Sequence, residues 1–131
     1  MLADRRVIAF VATRQADRAT EFYGRTLGLP LVADTPFALV FDAAGIELRV
    51  QKVAELSPAP YTALGWRVPD LDAACRELST RGVEPARFPG LPQDESGIWT
   101  TPDGHRVAWF RDPDGNVLSL TEDATPGRSP P

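Results

Sequence analysis

The chain has 131 residues, of which 43% are hydrophobic and 24% charged, with a formal net charge of -4. That balance describes a globular domain and excludes a disordered one. An acidic chain lacks the basic surface that neutralises phosphates, which argues against nucleic acid as a partner. No apolar run approaches the roughly 20 residues that span a bilayer, so no membrane partner is expected.

In chain order, the N-terminal residues show no secretory signal. Residues 7–13 (VIAFVAT) are β-branched and aromatic, the composition of a strand. Residues 16–27 predict a helix with Ala19, Phe22, Tyr23 and Leu27 on its buried stripe, stopped by Gly28 and Pro30. Short strands follow at 31–33 and 37–41, separated by the turn Asp34-Thr35-Pro36. Residues 46–53 alternate strictly, with Ile46, Leu48 and Val50 on one face and Glu47, Arg49 and Gln51 on the other.

Residues 54–60 (AELSPAP) read as a linker. The pattern then restarts: a strand at 61–68, and a helix at 71–81 with Leu71, Ala74, Cys75 and Leu78 as its stripe and Gly82 as its stop. Three prolines between 84 and 93 keep any strand there short. Strands are predicted at 97–101, 106–111 and 117–122, with Asp112-Pro113-Asp114-Gly115 as a strong turn signal. The tail 123–131 reads as disordered. Module one is thus 5–53 and module two 61–122, and the order β-α-β-β-β occurs twice. The prediction is an α+β fold in which two tandem βαβββ modules form a concave, partly closed sheet groove, a natural place for a ligand.

One cysteine, Cys75, permits no internal disulfide and suits the cytoplasm. It reads as a small buried hydrophobe. One histidine, His105, rules out any site built on several histidines in one chain, and it reads as a turn residue.

Phe22-Tyr23 followed by Leu27-Gly28-Leu29, then Val68-Pro69-Asp70-Leu71-Asp72, and above all Phe110-Arg111-Asp112-Pro113-Asp114-Gly115-Asn116, resemble the vicinal oxygen chelate superfamily. That superfamily includes glyoxalase I, extradiol dioxygenases, and fosfomycin and bleomycin resistance proteins. The resemblance implies metal ligands on four strands. Carried onto this chain, those positions hold Ile8, Glu47, Ala63 and Ser119, of which only Glu47 matches a ligand. A shifted register would bring in Gln15, Glu21, Gln51, His105 or Glu122. The reading taken is that there is no metal site and no cofactor.

Alternation places Ile8, Phe10, Ala12, Glu47, Arg49, Gln51, Ala63, Gly65, Arg67, Trp109, Arg111, Ser119 and Thr121 on the groove, and of these Phe10, Glu47, Arg49, Arg67, Trp109, Ser119 and Thr121 form the ligand-binding set; Trp99 reads as a groove wall or a lid. The resemblance then implies metal-independent binding of a small, aromatic organic molecule by a homodimer, as in bleomycin-resistance-type sequestration. The alternative is a glyoxalase-type lyase, isomerase or dioxygenase, with Glu47 as general base or in an atypical metal site. A third reading is an accessory module whose groove is filled by its own side chains.

Overall fold

The computed structural model describes residues 1–124; the part of the expected tail at 125–131 lies outside the described residues. Contacts divide the chain into two compact units. The first holds Met1–Ala59 and Asp112–Asn116, the second Pro60–Arg111 and the described residues from Val117.

In the first unit, β1 (Ile8–Thr13) leads to a short α1 (Ala16–Ala19) and then to β2 (Leu31–Asp34), β3 (Ala38–Ala43) and β4 (Ile46–Lys52). The sheet order is β1-β4-β3-β2, with β1 parallel to β4 and the other pairs antiparallel. β3 opens on four buried residues in a row, Ala38 to Phe41, as befits an interior strand covered on both faces. β4 keeps the expected alternation: Leu48 and Val50 are fully buried and turn to the helical side, where Phe41 meets Tyr23 at 5.9 Å between ring centroids.

The helix over residues 16–27 departs from expectation. Only Ala16–Ala19 is α-helical, and Thr20–Thr26 winds on as a π-helix. Its last amide, Leu27 N–H, donates to the Phe22 carbonyl at 2.9 Å, five residues back. The stripe Ala19, Tyr23, Leu27 recurs every four residues and suits either winding, so side-chain periodicity does not separate them.

The second unit repeats the plan: β5 (Thr62–Arg67), α2 (Leu71–Thr80), β6 (Trp99–Thr100), β7 (Arg106–Arg111) and β8 (Val117–Glu122). Its sheet order is β5-β8-β7-β6, again with the first and last strands parallel. The architecture is therefore α+β, two βαβββ modules each with an open four-stranded sheet. α2 packs on β7 and β8. Leu71 and Leu118 are completely buried and Phe110 nearly so, each contributing roughly 1.5–3 kcal/mol of burial energy.

α2 is closed at both ends by side chain and backbone chemistry. Asp70 accepts from the Ala73 amide at 3.1 Å, and Glu122 accepts from the Leu71 amide at 2.9 Å. At the far end Gly82 takes φ 82°, which lets Val83 N–H reach the Leu78 carbonyl at 2.9 Å. β6 is two residues long where five were predicted. The segment before it is organised by one side chain instead: Gln93 donates to the carbonyls of Ala86 and Gly97 and accepts from Phe88 N–H.

Candidate functional site

The residues expected to bind a ligand fall into two groups, one per unit. In the first unit, Ile8 lies opposite Glu47 and Phe10 opposite Arg49, so these side chains share the sheet face away from the helix. Phe10 is 49% exposed. Arg49 Nε donates to Glu47 Oε2 at 2.6 Å, and both side chains are close to half exposed.

In the second unit, Gly65, Ser119 and Trp109 form one row across β5, β8 and β7, and Arg67, Thr121 and Val107 form the next. Trp99 pairs with Val107 and joins the same face. These rows lie on the side of the sheet opposite Ala108, Phe110, Leu118 and Leu120. Trp109 donates through Nε1 to the Thr62 hydroxyl at 3.0 Å, which pins its indole across the sheet. Trp99 lies nearly parallel to it, with centroids 6.3 Å apart and 27° between planes. Phe88 meets Trp109 edge-on at 5.5 Å. The Arg111 guanidinium sits 5.5 Å from the Phe88 ring centre, a cation–π distance. Arg111 was expected on this face though outside the ligand set, Trp99 was expected as a groove wall or a lid, and Phe88 was not expected here. Trp99 was ambiguous because a two-residue strand carries no periodicity, and Phe88 lies on a proline-rich loop whose course no pattern predicts.

Arg67 is engaged by Asp123, Nε to Oδ2 at 2.7 Å. His105 accepts the Ala124 amide at Nδ1 and stands 3.4 Å from Asp103 and 3.5 Å from Asp123. Asp123 and Ala124, expected to be disordered, are therefore held, and His105 serves the turn that holds them.

A cleft of about 430 Å³ opens on the helix side of the second sheet, between α2 and the loop before β6. Leu78, Val83, Pro85 and Phe110 supply apolar wall, while Arg76, Arg87, Glu84 and Glu95 mix both signs of charge around it. Cys75 lines this cleft and is only half-buried, a correction to its expected full burial. Burial still pushes its thiol above the usual range, which disfavours the thiolate.

The donor set does not supply the metal chemistry that the resemblance suggests. Ile8 and Ala63 carry no donor atom. Ser119 is buried with its hydroxyl turned to Gly65, where a β-carbon would stand 2.4 Å from Oγ. Glu47 offers one carboxylate, and Arg49 holds it. No three His, Cys, Asp or Glu side chains converge as a ligand set among the described residues, Glu21, His105 and Glu122 included. The residues present do not fit a divalent metal.

The turn Asp112–Asn116 packs within the first unit. Asp112 accepts from the Tyr23 hydroxyl at 2.7 Å, from the Asn116 amide side chain at 2.8 Å, and from the backbone N–H groups of Asp114 and Asn116 at 2.9 Å. Asp114 accepts from the Thr13 hydroxyl and the Arg14 amide, and Asn116 donates to the Ala12 carbonyl. Burial, reinforced by the Asp112 charge, pushes Tyr23 far above the ordinary tyrosine range, so its hydroxyl stays a donor. The segment first reads as a turn, and the structure adds that the same residues anchor β1 and the π-helix.

Residues 7–120 match the family model of the Glyoxalase/Bleomycin resistance protein/Dioxygenase superfamily. A search of the curated proteins finds no match. Among solved structures, the chain is similar to the antibiotic binding protein TnmS3 from Streptomyces sp. CB03234. Identity is 26% and the TM-score 0.65, over 92% of this chain and 98% of that one. A lactoylglutathione lyase from Agrobacterium tumefaciens superposes with TM-score 0.71 at 16% identity, over 92% and 95% of the two chains. A glyoxalase/bleomycin resistance protein/dioxygenase from Alicyclobacillus acidocaldarius does so with TM-score 0.69 at 21%, over 95% of each. Two βαβββ modules and a family match over nearly all the described residues make this chain a member of the Glyoxalase/Bleomycin resistance protein/Dioxygenase superfamily, one that lacks most of the usual metal ligands.

Proposed function

We propose that the chain binds a small aromatic organic molecule without a metal, on the open face of its second sheet. The observation that carries this reading is the cluster of Trp109, Trp99 and Phe88. Large rings are held in a fixed arrangement by each other and by Thr62, yet both indoles remain partly exposed. Rings ordered in advance lose little freedom when a flat ligand stacks on them, which is how aromatic sites gain affinity. Thr121 borders the rings with a hydroxyl group for polar contacts. The likeness to an antibiotic binding protein supports sequestration in place of turnover. So does the state of Glu47: a carboxylate already holding Arg49 at 2.6 Å is poorly placed to take a substrate proton.

The same reading has two copies acting together, in the cytoplasm of a bacterium. Ile8 and Phe10 are both about half exposed on the edge strand β1, an apolar strip that a second copy would cover. Light scattering on the purified chain checks the dimer.

Binding is tested by titrating indole fluorescence with a panel of flat aromatic compounds, with and without EDTA. Trp109→Leu is expected to weaken binding at least tenfold, and EDTA is expected to change nothing. Affinity that disappears on chelation would overturn the reading.

A further inference from the structure

The charges on the aromatic face are unequal to its neighbours. Strands β5 to β8 place Arg67 and Arg111 on it and no carboxylate at all. Arg67 is neutralised by Asp123. Arg111 has no carboxylate partner among the described residues; its guanidinium rests on the Phe88 ring. Phe88 in turn touches Trp109, so the uncompensated cation lies one ring away from the indole that Thr62 holds. An arginine against a ring gives up part of its hydration on one side, and its planar fork is left to meet an acceptor with paired oxygens. Such a pair prefers a carboxylate to a neutral oxygen, because a charge-assisted bidentate bond is about twice as strong as a neutral one.

We infer that the preferred ligand is a planar aromatic acid, its ring on Trp109 and Trp99 and its anionic group on Arg111. This rests on the reading of the aromatic face given above, and it adds a sign to that reading: neutral and cationic aromatics bind more weakly than anionic ones of the same shape. Arg111 follows Trp109 by two residues on β7, so strand alternation alone keeps cation and ring on one face.

The test uses three probes of one size: 2-naphthoate, 2-naphthylmethanol and 2-naphthylmethylammonium. Each is titrated by equilibrium dialysis into the wild-type chain, Arg111→Gln, Arg111→Lys and Trp109→Leu, with folding checked by circular dichroism. The wild type is expected to bind naphthoate about tenfold more tightly than the alcohol, and the ammonium most weakly. Arg111→Gln should bring naphthoate down to the level of the alcohol. Arg111→Lys should keep part of the preference. If the alcohol binds, Trp109→Leu abolishes it, and naphthoate gains nothing from Arg111, the inference falls while the aromatic face stands. If no probe binds, or Trp109→Leu leaves binding untouched, both fall together.

Discussion

Gly65 and Ser119 face each other across β5 and β8, and the space between them is already full. A β-carbon on Gly65 would stand 2.4 Å from the Ser119 hydroxyl and 3.3 Å from its carbonyl oxygen. The hydroxyl can rotate away, whereas the carbonyl belongs to the strand ladder and cannot. Gly65→Ala is therefore expected to cost about 1–2 kcal/mol in urea unfolding, the ordinary penalty for overpacking. Adding Ser119→Ala should recover only the hydroxyl's share of that loss, because the carbonyl oxygen stays in place; a full double-mutant cycle measures the coupling. A neutral single variant would show that the approach is not tight. The same close approach makes Ser119 a poor place for a metal ligand, since no longer side chain fits opposite β5 there.

Elements here are stabilised where charge and backbone meet. Arg106, only 21% exposed, donates to both Asp72 oxygens at 2.9 and 3.0 Å and lies 3.5 Å from Glu122, which itself holds the first amide of α2. The Arg106 hydrogen bonds hold Asp72 below the usual carboxylate range. A group lowered on folding contributes stability above its unfolded value of about 3.9, and that contribution fades as pH falls through the folded value. Asp72→Asn is accordingly expected to lower the denaturant midpoint at pH 7, and the gap from wild type should close below about pH 4. The effect stays modest because Asp72 is half exposed. At this scale most of the fold was legible. β7 and β8 have the bounds predicted, and the strand alternation of β4 put Leu48 and Val50 under the helix, because period-two patterns report burial directly. The π-helix and the short β6 were not legible. The first differs from an α-helix in which carbonyl each amide reaches, and the second is replaced by Gln93 side-chain bonds; neither leaves a periodic mark.

At the scale of the whole chain, the site was half legible. Repeat order and alternation put Trp109, Ser119, Thr121 and Arg67 on one face, as found. Phe88 and Arg111's contact with it depend on how a proline-rich loop returns to β7, through Ala86 N–H donating to the Trp109 carbonyl at 2.7 Å, and no local signal encodes that return. The turn Asp112–Asn116 poses the same problem in reverse. Its residues look like turn formers, yet the chain leaves β7, contributes five residues to the first unit, and returns as β8. Removing Asp112 would strand the Tyr23 hydroxyl, which is fully buried, along with the Asn116 side-chain amide and two backbone N–H groups. Unmet buried donors are costly, so Asp112→Ala is expected to lose about 2–4 kcal/mol, and Tyr23→Phe in the same chain should return part of it. Because the shared turn is covalently continuous with both central strands of the second sheet, its loss should be felt along the chain. Calorimetry should show one transition moved to lower temperature. Two resolved transitions, with only the first unit weakened, would mean that the turn serves that unit alone.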